Sequence, residues 1–183
     1  MNFELHTKRL ILRPMKLEDA YGMYELNLPE DVFLNTGDKP FKNVDEAKTL
    51  ILNYDQFEKY KMGRFSLIDK LTNDYVGWCG LKLSESKNEV DLGYRILPKF
   101  RGNGLAGEAA EKCLEYGFNT LALKSIVGKA TKVNYPSIAI LKNIGMTFTN
   151  EFIDHDTVCV EYSINSETWF SRMAHMNSNT KQN

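Results

Sequence analysis

The residues best suited to chemistry lie between positions 90 and 116. Gly102 and Gly104 stand two apart in a stretch that begins with Arg101, after an alternating apolar run and before one of helical spacing. Two near-adjacent glycines let a backbone curl tightly enough to aim several N–H groups at one point. A helix start directly behind them adds its own free N–H groups and a partial positive charge. Arg101 supplies a full charge at the mouth. Together these make a cradle for a diphosphate.

Two kinds of diphosphate ligand compete for the loop. Gly102, Gly104 and Gly107 match the GxGxxG dinucleotide fingerprint, which should sit in a βαβ unit with an acidic residue about 20 positions on. Residues 122–132 contain no Asp or Glu, and Leu97-Pro98-Lys99-Phe100 separate the strand from the glycines. A nucleotide P-loop requires Lys-Ser or Lys-Thr after its glycines, and neither follows here.

Arg101-Gly102-Asn103-Gly104-Leu105-Ala106 resembles the R/Q-x-x-G-x-G/A signature of the GCN5-related N-acetyltransferases (GNAT), whose loop holds the coenzyme A pyrophosphate. Within that superfamily the chain is most similar to ribosomal-protein N-terminal acetyltransferases of the RimJ/RimL type. The likeness runs from Thr7-Lys8-Arg9-Leu10-Ile11-Leu12-Arg13-Pro14 and Glu18-Asp19-Ala20, through Tyr75-Val76-Gly77-Trp78-Cys79-Gly80-Leu81 and Asp91-Leu92-Gly93-Tyr94. It ends at Asn134-Tyr135-Pro136-Ser137 and Ile144-Gly145-Met146. The resemblance implies an acetyl-CoA-dependent N-acetyltransferase. Its expected fold is α+β, a mixed, mostly antiparallel sheet splayed at the cofactor site with flanking helices. Acetyl-CoA is the implied co-substrate, and no metal is required.

Acetyl transfer to an amine needs a bound thioester, a deprotonated amine, charge relief for the oxyanion and a proton for the departing thiolate. The resemblance assigns cofactor binding to Arg101, Gly102, Asn103, Gly104, Leu105 and Ala106. It adds a bulged, splayed strand at Tyr94, Arg95, Ile96 and Leu97, whose freed backbone pairs with the pantetheine arm as an added strand would. Asp91 aligns with a Glu common in the family and is the first candidate base. Glu89 shares its strand face because side chains repeat every second residue. Both also read as solvated charges beside a turn. Asn134 and Ser137 bracket a helix start where capping would explain them; in the family the Asn reaches the pantetheine region and the Ser faces coenzyme A. The Tyr that often protonates the thiolate, seven residues after the Asn, is Leu141 here, which leaves Ser137 or water. Phe33 and Phe41 are candidates to line an acceptor pocket, or to pin their loop to the core. Phe65, Tyr75 and Trp78 read as core.

Other chemistries find little support. His6, His155 and His175 are scattered without metal-ligand spacing. Cys79, Cys113 and Cys159 are widely separated in apolar surroundings, which suits buried hydrophobes. The reading is therefore direct transfer to a protein N-terminus or a small amine in a ternary complex. Its rivals are a coenzyme A-binding sensor without activity and a dinucleotide-binding oxidoreductase.

These groups need a scaffold, and 183 residues suit one domain over 1–176, followed by a polar and disordered tail over 177–183. A net charge of −1 without a basic stripe gives a nucleic-acid partner no support. The first residues lack a signal peptide and no segment has the length of a membrane span, so a cytoplasmic monomer or homodimer is expected. Strands are predicted over 8–13, 64–69, 75–83, 89–96 and 125–130, with a final hairpin of 146–153 and 157–164. Helices are predicted over 17–28, 44–61, 105–120 and 136–144, and residues 29–43 form a loop.

Overall fold

A computed structural model describes residues 3–154 and 156–180. Its frame is one eight-stranded sheet in the order β1-β2-β3-β4-β5-β6-β8-β7. The strands are β1 Leu5–His6, β2 Leu10–Arg13, β3 Arg64–Asp69, β4 Tyr75–Ser84, β5 Glu89–Ile96, β6 Ser125–Thr131, β7 Thr147–Asp154 and β8 Thr157–Asn165. Each neighbouring pair is antiparallel except β5 and β6. That parallel pair is joined by the crossover helix α5, as parallel strands require. The sequence-derived α+β class with a mixed sheet therefore holds.

Helix α5, Leu105–Asn119, buries Ala109, Ala110, Cys113 and Leu114 against the sheet, where they meet Leu81, Leu92 and Ile126 in the main core. Small residues at 109 and 110 let the helix lie close to the strands. Helix α6, Tyr135–Asn143, starts on Asn134, whose side chain accepts from the Ser137 N–H. Leu141 is 1% exposed and belongs to the core. Helix α7, Ser166–Thr180, places Trp169 in a stack on Phe118 with ring centres 5.7 Å apart. It has no counterpart among the predicted elements and runs into the stretch expected as a tail; residues 181–183, like His155, lie outside the described residues.

The segment between β2 and β3 departs most from expectation. The predicted helix 44–61 is two helices, α3 Val44–Leu52 and α4 Gln56–Tyr60. The break lets the Tyr54 hydroxyl accept the Arg64 N–H at 2.7 Å, tying the segment to the start of β3. The predicted loop 29–43 contains α2, Glu30–Thr36, which begins after Pro29 with Glu30 and Asp31 in its first turn and stops at Gly37. The predicted 17–28 helix is a 3-10 turn followed by α1, Ala20–Leu26. Helices α1 and α3 close a second, smaller core of Ala20, Met23, Ala47 and Ile51. No helix among the described residues is long and apolar enough to cross a membrane.

A buried ion pair fixes α1 to the sheet. Asp19, 3% exposed, accepts both terminal nitrogens of Arg13 at 2.8 Å, the Ser66 hydroxyl at 2.7 Å and the Lys16 N–H at 2.8 Å. Removing one member of such a pair strands the other charge. Asp19→Ala should therefore lower unfolding free energy in urea by about 3–5 kcal/mol, and Ser66→Ala by only about 1 kcal/mol. Equal, small losses would show that the pair is not fixed as described.

Candidate active site

The site begins where the sheet parts. β5 and β6 pair only at Asp91↔Val127 and Leu92↔Gly128, whereas β5 stays in register with β4 from Ser84↔Glu89 to Gly77↔Ile96. The Leu97 N–H bonds the Val76 carbonyl at 2.9 Å. By the alternation of an antiparallel ladder, Arg95 and Gly93 also turn their backbone groups toward β4, while Tyr94 and Ile96 turn theirs toward the gap. The expected splay is present. The expected bulge is not, because the constant β4–β5 register leaves no extra residue on β5; the irregularity lies between Leu67 and Ile68 in the β3–β4 pairing.

Tyr94 crosses the gap. Its hydroxyl lies 3.0 Å from both Oγ and the backbone oxygen of Ser137 at the start of α6. Burial pushes the Tyr94 phenol well above its ordinary pKa, the Ser137 hydrogen bond opposing. Asn134 caps α6, as its sequence position suggested, and Asn134, Ser137 and Tyr94 line the same cleft.

The glycine loop closes the other end of β5. After a 3-10 turn over Pro98–Phe100, Gly102 and Gly104 take φ of 78° and 74°, left-handed values that favour glycine, and Gly104 is the N-cap of α5. Gly102 through Ala106 thus form the turn and the free helix start predicted for them. Leu105 is buried, as are the side chains of Ile96 and Leu97, so any ligand contact from these three is through backbone. Arg101 does not stand free at the mouth. Its Nε donates to the Ile96 carbonyl at 3.0 Å and its Nη1 pairs with Asp31 of α2 at 2.7 Å, so it braces the loop. A second guanidinium arrives from the other side. Arg9 Nη1 donates to the Asn103 carbonyl at 2.8 Å, and Arg9 Nε to Glu108 Oε2 at 2.7 Å. Burial raises the Glu108 pKa, but hydrogen bonds from Thr7 and Arg9 outweigh it and hold the carboxyl below the ordinary range.

The sheet face opposite α5 carries a cleft of about 1000 Å³ lined by Glu89, Asp91, Gly93 and Arg95 of β5 and by Arg64 and Trp78. Asp91 and Glu89 do share this face, and both are ion-paired: Asp91 with Arg64, and Glu89 with Lys129. The Arg64 and Arg95 guanidinium groups lie over Trp78, 5.2 and 5.3 Å from its ring centre. Arg95 also bonds Asn27 and, at 2.6 Å, Asp38. A Cβ on Gly93 would stand 2.7 Å from Arg64 Nη2, so glycine there admits the Arg64–Asp91 pair. Trp78 is thus a wall of the cleft rather than core. Phe33 is exposed on α2 and Phe41 packs against the α1–α3 core; neither lines the cleft. Gln56 lines it instead, with Oε1 buried and lacking a hydrogen-bond partner among the described residues. Nothing local in sequence marks Gln56, Arg64 or Trp78; pairing of β3 with β4 brings Arg64 and Trp78 together, and Gln56 reaches the cleft from α4.

Comparison with known proteins accords with this geometry. A family model described as an acetyltransferase (GNAT) domain matches residues 9–147. Uncharacterized N-acetyltransferase p20 of Bacillus licheniformis is 33% identical over 142 residues, which cover 76% of this chain and 80% of that protein. An acetyltransferase of the GNAT family from Bacillus anthracis superposes with a TM-score of 0.78 at 23% identity, over 90% of this chain and 99% of that one. A putative ribosomal-protein-serine acetyltransferase from Vibrio cholerae does so with a TM-score of 0.72 at 18% identity, over 90% and 98%.

Gly107 offers a clean test of the loop. It stands third in α5, and nothing lies within 4 Å of a Cβ built there. Gly107→Glu should stabilise the free protein by about 0.5–1 kcal/mol through helix propensity. A Glu at this position also reaches back to the N-cap N–H, one of the donors that the loop assignment gives to a diphosphate. Calorimetry should therefore show coenzyme A affinity falling by about tenfold or more, the scale of a lost charge-assisted hydrogen bond. Unchanged affinity in the folded variant would refute the loop assignment.

Proposed function

The chain belongs to the GNAT acetyltransferase family, and on that premise we propose that it moves the acetyl group of acetyl-CoA directly to a primary amine, of a protein N-terminus or a small molecule, with both substrates bound at once. The observation that carries this reading is the parting of β5 from β6 beside a glycine loop at a helix start. In it, backbone N–H groups of residues 102–106 hold the diphosphate. The Tyr94 and Ile96 backbone pairs with the pantetheine arm, and one of these N–H groups relieves the oxyanion. The amine enters from the cleft face.

Asp91 is the proposed base. Its Oδ2 is engaged by Arg64, while Oδ1 has no hydrogen bond among the described residues and can accept from an ammonium or a water. Glu89, held by Lys129, which Glu161 also approaches, is the weaker candidate. For the thiolate, Leu141 is buried and has no proton to give; Ser137, backed by the Tyr94 hydroxyl, is the proposed donor. An acetylated-cysteine route has less to recommend it. Cys79 and Cys113 are fully buried with sulfurs 3.7 Å apart, and burial raises the Cys79 thiol far above its ordinary range; Cys159 lines the cleft, but burial raises its thiol as well.

The lining of the cleft bears on the acceptor. Among the described residues, five carboxylates and six Lys or Arg side chains line it; this near balance lacks the excess of carboxylates that a polyamine needs, which argues for an acceptor with a single ammonium group instead. A peptide N-terminus or an amino acid-like amine fits best. The test is release of free thiol from acetyl-CoA in the presence of peptides, amino acids, polyamines and aminoglycosides. Intersecting initial-rate patterns are expected, with singly charged amines ahead of polyamines. Parallel patterns would contradict the ternary complex, and no release with any acceptor would favour a coenzyme A-binding sensor.

Asp91→Asn separates the base from the scaffold. It should lower kcat/KM by about 100-fold near neutral pH, with partial recovery at high pH where free amine is abundant. Acetyl-CoA affinity should stay close to that of the unsubstituted protein, and Glu89→Gln should be milder. An unaltered pH profile in both variants would remove both carboxylates from the mechanism.

A further inference from the structure

The first turn of α5 carries a carboxylate close to where a diphosphate is to dock. Glu108 favours the helix by itself, since an anion suits a helix N-terminus, but it repels a second anion arriving at the same end. Its charge is held by one short stretch of chain. The Thr7 hydroxyl and Arg9 N–H donate to Oε1, the latter at 2.8 Å, and Arg9 Nε donates to Oε2 at 2.7 Å. The same guanidinium donates through Nη1 to the Asn103 carbonyl in the loop. Its Nη2 lies 3.6 Å from where a Cβ on Gly104 would stand and makes no hydrogen bond among the described residues. The Arg9 side chain is 43% exposed, so the group is reachable from solvent.

Other cations near the loop are less well placed. Arg101 also keeps Nη2 without a hydrogen bond among the described residues, but its Nε and Nη1 hold it toward Ile96 and Asp31, and it is not among the atoms near a Cβ built on Gly102 or Gly104. Lys70 donates to the Thr7 carbonyl, and Lys99 lies over the Phe100 ring. We infer that Arg9, rather than Arg101, is the guanidinium that serves the diphosphate site. It masks Glu108, ties down the carbonyl of Asn103, and leaves one nitrogen beside Gly104. Arg9 is in this sense a positioning residue that acts through Glu108 and the loop. The inference rests on the proposed loop site.

Charge masking and a purely structural tie make opposite predictions for Glu108. If Arg9 masks Glu108, Glu108→Gln frees the guanidinium and removes a repulsion, so coenzyme A should bind as tightly as before or several-fold tighter. If the contacts only hold the loop, the same change loosens it and binding weakens. Arg9→Gln should weaken coenzyme A binding about tenfold at low salt. The loss should shrink as salt rises, because exposed charges are screened. Adding Glu108→Gln to Arg9→Gln should recover at least half of the loss, and Arg9→Lys should fall between. Arg101→Gln should cost less than Arg9→Gln. Calorimetry over a salt series, with melting temperatures to confirm folding, reads all of these.

The inference is overturned if Arg9→Gln binds like the unsubstituted protein. It is equally overturned by a salt-independent loss that the double variant does not recover, or by weaker binding in Glu108→Gln alone. Should Arg9→Gln not fold, Glu108→Gln and Arg9→Lys still decide the matter. Gly107→Glu in the same series keeps the two levels apart. If it leaves affinity intact, the loop reading fails; if it weakens binding while the Arg9 and Glu108 variants do not behave as stated, only the role of Arg9 fails.

Discussion

A strand cannot follow two diverging neighbours, and the molecule is organised around the place where β5 must choose. β6 is paired with β8 over its whole length, from Ser125↔Asn165 to Thr131↔Cys159, and β5 is paired with β4 to its end. The right-handed twist of each half carries the two strands apart, so their shared ladder stops after Leu92↔Gly128. Backbone polar groups left unpaired in a protein interior are costly, on the order of 1–3 kcal/mol each. The gap is therefore a place that calls for hydrogen-bonding partners in extended conformation. The rest of the site answers to this gap. Helix α5 closes one face behind it, the glycine loop closes its end, and Tyr94 with Ser137 spans it.

The cleft face is built by a different rule. It carries the ion pairs Arg64 with Asp91, Arg95 with Asp38 and Lys129 with Glu89, and both guanidinium groups of these pairs lie over Trp78. Guanidinium planes suit this arrangement because they stack on an aromatic face while bonding in their own plane. The result is a wall that is polar yet nearly neutral. An amine entering by the proposed route would exchange hydrogen bonds within existing pairs and meet no large field of one sign. Helix α2 ties the two regions together, because Asp31 reaches Arg101 of the loop and Asn35 accepts from the Thr131 hydroxyl of β6 at 3.0 Å.

What the sequence disclosed follows the range of the interactions. The loop, α5 and the central strands are written in local pattern: two glycines, helical spacing of small apolar residues, and alternation bounded by polar turns. Helix α2 was also legible, since Pro29, Glu30, Asp31 and Gly37 are start and stop signals within the stretch expected as a loop. The break at residues 53–55 was not, because it depends on Tyr54 reaching the Arg64 N–H, a tertiary contact that overrides helical spacing. Arg101 illustrates the same limit. Its position before the glycines indicates a charge at the mouth, but Asp31, 70 positions away, decides where the side chain goes. Arg9 lies 99 positions before Glu108 and meets it only because β2 packs beside the start of α5.

The central claim is that backbone groups freed by the parted strands receive the acyl donor. Amide hydrogen exchange at single residues, with and without saturating acetyl-CoA, tests it most directly. The N–H groups of Tyr94 and Ile96 should slow by about tenfold or more on binding, together with those of residues 102–106. Those of Gly93 and Arg95, already turned toward β4, should change little. Exchange at Tyr94 and Ile96 that stays the same with acetyl-CoA fully bound would contradict the account.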